Sequence, residues 1–305
     1  MLKKLIALLL CAALLSLCAC TANVQSGKTV IAASFYPIYI FTLNLVDGID
    51  GIELKCMAEE NVGCLHDYQL LAKDARLLAD AKILVINGAG MESFIEDAYE
   101  NNDSLCVIDS SEGIELLLGG CGDEESHAHS HAHESEVNAH IWMSVENAEK
   151  QVENISSALC RELPAYSEKI SKNCENYISR LKVLKDELLK ECGGIGNIPV
   201  ITFHEAYDYT AKELGLSIEA SIESDEGGEP TAKELASLSK IINEKGVKAL
   251  FVEPYYKGSA ANILERETGV SVYVLNPVTS GEKTLTAYED IMRENIKTVL
   301  KAVEA

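Results

Sequence analysis

The sequence predicts an α/β protein built as two four-stranded parallel-sheet lobes joined by a long backbone helix, with a cleft between the lobes. Three observations carry that prediction. Strand-length apolar runs alternate with helical patterns of about ten residues, as in βαβ units with parallel strands covered on both faces. The alternation occurs twice. Between its two occurrences lies a stretch with helical periodicity and no glycine. With 305 residues and 47% hydrophobic content, the chain is long enough to bury a full core.

The elements follow in order. Lys3 and Lys4 precede an apolar run at 5–17, of signal-peptide length and too short for a comfortable membrane span. The run ends in Leu17-Cys18-Ala19-Cys20, which resembles a bacterial lipobox with Cys20 as the lipidated residue. Residues 1–19 are then a lipoprotein signal peptide and 20–28 a tether. Dual acylation gives stable anchoring, so the mature protein is expected outside the cytoplasm, lipid-anchored to a bacterial cell membrane. The N-terminal lobe, 29–144, has strands at 30–33, 52–57, 83–86 and 105–108, and helices at 37–46, 69–79 and 91–98. Residues 119–136 are poor in apolar side chains and rich in Gly, Ser, His and acids, and read as a loop. The helical segment is 145–191. Within it Tyr166, Ile170, Cys174, Tyr177, Leu181, Leu184 and Leu188 recur at helical spacing. That stripe predicts a backbone helix over 164–191, about 40 Å long, begun by Pro164 and stopped by Gly193 and Gly194. The C-terminal lobe, 192–305, has strands at 200–202, 217–220, 249–252 and 271–275, and helices at 207–214, 231–245 and 259–268.

Charge and cysteines exclude some functions. The formal net charge is −22, and losing the two lysines of residues 1–19 makes it −24. Nucleic-acid phosphates would be repelled. Of ten cysteines, Cys11 and Cys18 leave with the signal and Cys20 carries lipid. Cys56, Cys64, Cys106, Cys121, Cys160, Cys174 and Cys192 remain, an odd number that cannot all pair within one chain. Cys56 with Cys64 and Cys106 with Cys121 are close enough in sequence to pair. No CxxC occurs, so a cysteine zinc ribbon is not supported. Cys174 falls on the backbone-helix stripe as a small core residue.

The histidines carry the chemistry. Of seven, His127, His129, His131 and His133 fall within the tract HAHSHAHE, and His140 follows in NAHIWMS. His66 and His204 lie just beyond strand-like runs, one in each lobe. Open α/β sheets bind ligands beyond the carboxyl ends of their strands, so His66, His140 and His204 converging there would give zinc three of its four ligands. The alternating spacing of the tract puts its four imidazoles on one side of an extended segment, as an auxiliary metal trap. Ligand histidines must be deprotonated, so binding weakens below about pH 6.5.

Several stretches together resemble the solute-binding proteins of bacterial zinc and manganese ABC transporters: His66-Asp67-Tyr68 followed by LLAKDARLLADAKILVINGAGMESFIED, then NAHIWMSVENA, TFHEAYDYTAKELGL, GEPTAKELASL and LFVEPYYKGSAANILERETGV. The resemblance runs in order from about Thr29 to the C-terminus. It implies that His66, His140 and His204 are the family's three histidine ligands and that the cleft between the lobes is a metal cleft. It also implies delivery of the ion to an ABC permease and its ATPase subunit, by a protein expected to be a monomer. A His-rich loop in this position is similar to that of the zinc-type members. Glu229 and Glu253, which lie in family motifs, are expected to serve lobe packing or permease docking.

Two residues depart from the pattern. Where the family often supplies a carboxylate ligand, this chain has Asn276, in VLNPVTSGE. The fourth position is therefore Asn276, a water, Glu205 or Glu282. Three imidazoles without an obligatory carboxylate favour Zn(2+) over the alternative, Mn(2+). Leu65 stands where a proline usually precedes the first histidine, which is expected to alter rigidity rather than ligation. Other functional classes fit less well. His204-Glu205-Ala206-Tyr207-Asp208 superficially resembles HExxH, but its fifth position is Asp and it starts at a strand end rather than inside a helix. No G-x-S-x-G elbow or P-loop is present. A surface adhesin rests on the anchor alone.

Overall fold

A computed structural model describes residues 27–58, 65, 68–100, 102, 104–119, 137–222, 229–256 and 258–304. The signal segment, Cys20, His66, the tract histidines, Cys64 and Cys121 lie outside the described residues. All eight apolar runs form strands. β1 (Thr29–Ala33), β2 (Ile52–Cys56), β3 (Ile83–Ile86) and β4 (Cys106–Asp109) make one sheet in the order β2-β1-β3-β4. β5 (Pro199–Thr202), β6 (Ser217–Ser221), β7 (Ala249–Val252) and β8 (Ser271–Val274) make the other, in the order β6-β5-β7-β8. Every pairing is parallel, and the two orders are equivalent. In each lobe the strand order reverses between the first and third strands, which places a crevice beyond their carboxyl ends.

The first lobe carries α1 (Tyr36–Val46), α2 (Ala72–Asp80) and α3 (Glu96–Glu100). The helix expected at 91–98 opens instead with a 3-10 turn at Ser93–Ile95. The second lobe carries α6 (Asp208–Leu214), α7 (Ala232–Lys245) and α8 (Ala260–Thr268). The helix α7 is punctuated at both ends. Thr231 and Glu234 form a reciprocal capping box, and Gly246 closes the helix at φ 66°.

The segment 145–191 forms two helices, the second close to the limits expected for the backbone helix. α4 (Val145–Glu162) and α5 (Ser167–Cys192) are joined by a 3-10 turn at Pro164–Tyr166 and pack as a hairpin. Pro164 disfavours helical backbone at the residue before it, and Leu163 sits at φ −127°, ψ 60°. On α5 the stripe residues Ile170, Tyr177, Leu181, Leu184 and Leu188 are buried, whereas Tyr166 and Cys174 are only partly so. A further helix, α9 (Ala287–Glu304), lies beyond the strand–helix alternation read from the sequence. It packs on α5, burying Tyr288, Met292, Ile296 and Val299.

The two sheets share one core. Alternate strand residues face it, namely Ile31, Ala33, Ile83 and Val85 from the first lobe and Val200, Ala249 and Phe251 from the second, with α4, α5 and α9 between. Residues of opposite parity face separate outer clusters, Ala32, Leu84 and Ile86 in one lobe and Ile201, Leu250 and Val252 in the other. Polar ties reinforce the shared core. The Asn173 amide on α5 donates to the Leu45 and Asp47 carbonyls at the end of α1, each at 2.9 Å. Arg180 on α5 pairs with buried Glu289 of α9 at 3.0 Å. Glu213 of α6 accepts from the Val145 N–H at 2.9 Å and from the Glu146 N–H at 3.3 Å, closing the α4 N-terminus from the opposite lobe.

Candidate metal centre

The second lobe's crevice explains how His204 is placed. Register pairs Thr202 with Phe251, so His204 and Glu253 each follow by two residues and leave their strands side by side. His204 Nδ1 lies 2.8 Å from Glu253 Oε1. A carboxylate oxygen accepts here, so in the neutral ring Nδ1 carries the proton and Nε2 the lone pair that a metal requires. A histidine oriented by a carboxylate in this way is a recurring feature of zinc sites. Glu253, expected to serve packing or docking, thus contacts a candidate ligand. Glu229 accepts from the Ser259 and Ala260 N–H groups at 2.6 and 3.0 Å, at the start of α8.

In the first lobe the equivalent crevice is closed by Glu92. Its carboxylate accepts from Ser34 Oγ at 2.7 Å, the Asn87 N–H at 2.7 Å and the Gly88 N–H at 3.0 Å, bridging the ends of β1 and β3. Burial pushes the Glu92 carboxyl up to about 7, while these three donors pull it down. The neighbouring Asn87 amide donates to the Ala139 carbonyl at 2.9 Å, anchoring the residue before His140.

His140 is 1% exposed, and its ring faces the second lobe. The His140 and His204 ring centroids are 4.6 Å apart and nearly perpendicular. His140 Nδ1 lies 3.0 Å from Asn138 Oδ1 and 3.7 Å from Glu205 Oε1. Trp142 packs beside it, with ring centroids 5.1 Å apart, and stacks edge-on against Phe35 at 4.9 Å. The Trp142 indole N–H donates to the Pro277 carbonyl at 2.8 Å, and the Tyr288 hydroxyl donates to the Trp142 carbonyl at 2.8 Å.

The remaining candidates occupy different surroundings. Asn276 Oδ1 accepts from the Val278 N–H at 2.8 Å, a side-chain turn that holds Val278 at φ 59°. The Asn276 backbone is held on both sides by the Asn295 amide. The Glu282 carbonyl accepts from the Tyr36 hydroxyl at 2.7 Å, across the lobes. Glu205 Oε1 lies 3.7 Å from His140 Nδ1, on the side of the ring that faces Asn138. His66 lies outside the described residues. Beside it, Leu65 is buried in the shared core and Tyr68 donates its N–H to the Leu65 carbonyl at 2.9 Å. His204 has extended backbone, φ −173° and ψ 141°, and precedes a 3-10 turn at Glu205–Tyr207. HExxH instead needs both histidines on one helical face.

Sequence reading missed Asn138 and Trp142. Each is in the quoted NAHIWMS stretch; Asn138 Oδ1 meets His140 two residues on, but the Asn138 amide nitrogen and the Trp142 indole meet partners 67 to 135 residues away, which no local pattern reveals.

The family model for the periplasmic component A of the zinc-uptake complex, ZnuA, matches residues 31–302. The chain belongs to this family. The ZnuA family and fold are those of solute-binding proteins. The zinc-binding protein AdcA of Streptococcus pyogenes is 30% identical over 294 residues, covering 90% of this chain and 56% of AdcA. The chain thus spans little more than half of that relative. The high-affinity zinc uptake protein ZnuA of Bacillus subtilis is 29% identical, covering 90% of this chain and 88% of that protein. Among solved structures, the Zn(II)-bound ZnuA-like domain of Streptococcus pneumoniae AdcA has a TM-score of 0.75 at 26% identity, covering 92% of this chain and 100% of that domain. FpvC of Pseudomonas aeruginosa, solved with Mn2+, has a TM-score of 0.79 at 26% identity, covering 91% and 99%.

Proposed function

We propose that this chain is the extracytoplasmic zinc-binding component of an ABC metal importer, which captures the ion in the cleft and delivers it to a membrane permease driven by an ATPase subunit. It is a carrier rather than an enzyme. The observation that carries this reading is the meeting of His140 and His204, ring centroids 4.6 Å apart, over the crevices of two facing lobes. Both rings present Nδ1 to a protein oxygen, at 3.0 and 2.8 Å, so Nε2 of each is the donor toward the ion. His66 is the third ligand in this reading. Asn276 Oδ1 is engaged in its own turn, which leaves the fourth position to a water or to an acid, Glu205 or Glu282. Imidazole-rich ligation with at most one carboxylate favours zinc over manganese. The four tract histidines form an auxiliary trap, and Cys20 carries the lipid anchor. Among the described residues no helix is long and apolar enough to cross a membrane.

Competitive metal titration tests the proposal, comparing the wild type with His140→Ala and with a form lacking residues 122–135. The expected result is tight 1:1 zinc binding that survives loop removal and collapses in His140→Ala. Binding lost with the loop and retained in His140→Ala would sink the cleft site. Manganese displacing zinc would keep the carrier and change its cargo.

A further inference from the structure

We infer that Asn138 is a positioning residue of the metal site. Its side-chain amide fixes His140 as the Nδ1–H tautomer and holds that ring in register with the turn that follows His204. The inference rests on the reading of His140 and His204 as ligands.

An amide has an acceptor end and a donor end, and its orientation follows from what each end meets. The Asn138 NH2 donates to the Glu205 carbonyl at 2.9 Å and to Asp208 Oδ2 at 3.1 Å. A carbonyl and a carboxylate only accept, so a reversed amide would set oxygen against oxygen on both contacts. Oδ1 is thereby turned toward His140, where it accepts the backbone N–H at 3.0 Å and faces Nδ1 at 3.0 Å. An amide oxygen cannot donate, so in the neutral ring the shared hydrogen sits on Nδ1 and the lone pair on Nε2. Asn138 is 0% exposed, so its amide is shielded from bulk solvent.

The same amide spans the two lobes. Glu205 and Asp208 bracket the 3-10 turn that His204 begins. The Asn138 carbonyl also accepts from the Tyr209 hydroxyl at 2.8 Å. On its other side, Ala139 is held by Asn87 of the first lobe. One side chain thus references the His140 ring to the His204 segment. A carboxylate at this position would keep the acceptor for Nδ1–H but lose both donors, and it would face Asp208 with like charge.

The test combines two measurements on the purified protein. Nitrogen-15 NMR of the zinc-loaded wild type reads the His140 tautomer directly. Zinc affinity is measured for the wild type, His140→Ala, Asn138→Ala, Asn138→Asp and Thr210→Val. Thr210 supplies a comparison because its hydroxyl donates to the Met143 carbonyl at 2.6 Å, anchoring the same segment without facing either ring. The expected spectrum shows Nδ1–H with Nε2 bound to metal. Asn138→Ala is expected to lose about 10- to 100-fold in affinity and Thr210→Val less than about threefold. Asn138→Asp should keep the tautomer and still lose affinity. A wild-type spectrum with Nδ1 on the metal would overturn the inference, even if the variants fail to fold. So would Asn138→Ala binding within about threefold of wild type, or equal losses in Asn138→Ala and Thr210→Val. Wild type that binds no zinc, or His140→Ala that binds like wild type, would instead remove the ligand reading beneath it.

Discussion

Trp142→Phe should lower the stability of the whole body by about 3 kcal/mol, and the structure supplies each part of that figure. Trp142 is 1% exposed and touches both lobes, through Phe35 on one side and Pro277 on the other. Phenylalanine keeps the six-membered ring and the contact with Phe35 but has no N–H. The Pro277 carbonyl would lose its donor inside the protein, which costs about 1–3 kcal/mol. The missing pyrrole leaves a void of about 40 Å3, worth about 1 kcal/mol more. The loss falls beside Val278, whose φ of 59° is strained for a β-branched residue, so the turn at 276–278 has less to hold it. Urea unfolding followed by circular dichroism reads the change in free energy by linear extrapolation. The transition should shift as one, because the residue belongs to the core shared by both lobes. A loss below about 1 kcal/mol would refute the reasoning, since the indole bond would then not be holding the 276–278 turn. A split transition would refute the single core.

Three further outcomes are expected. Burial raises the Glu92 carboxyl to about 7 in the folded protein. Its contribution to stability is therefore present below the unfolded pKa, near 4.5, and is lost as pH rises to about 7. Urea unfolding of the wild type and Glu92→Gln at pH 5 and pH 7 should show the wild type losing about 2 kcal/mol relative to the variant, and a pH-independent difference would count against the shift. Trp142 is the single tryptophan of the chain and its ring centroid is 5.1 Å from that of His140, so zinc titration should change its emission, saturating at one equivalent. An unchanged spectrum during tight binding would place the ion elsewhere. Gly88→Ala puts a side chain at φ +80°, where its Cβ would come within 1.9 Å of Asp109 Oδ1. A loss of at least about 2 kcal/mol is expected by thermal or urea unfolding, and a neutral result would contradict the tight packing of this turn.

The strands were legible because each is a short apolar run bounded by polar turns, and all eight formed close to their expected limits. The backbone segment was only partly legible. The stripe on α5 and the proline before it were visible, but the hairpin packing of α5 against α4 was not, because it is set by tertiary contacts. The pattern of α9 is present in Tyr288, Met292, Ile296 and Val299, yet it lies beyond the last strand, where an alternation-based reading stops. At the site, single residue types marked His140 and His204, and the topology brings them together. The orienting oxygens were not legible as such. Glu253 meets His204 only because β5 and β7 are neighbours, and Asn138 reaches residues 67 and 70 positions away. Such contacts are set by tertiary packing, and periodicity carries no record of them.

The position of α9 bears on the order in which contacts can form. Its buried residues join the same core as β1, although about 250 residues separate the two segments. Contacts between residues so far apart form late, because the intervening loop must be closed before they contribute. The shared core therefore draws on contacts of long range, and neither half of the strand–helix alternation supplies it alone.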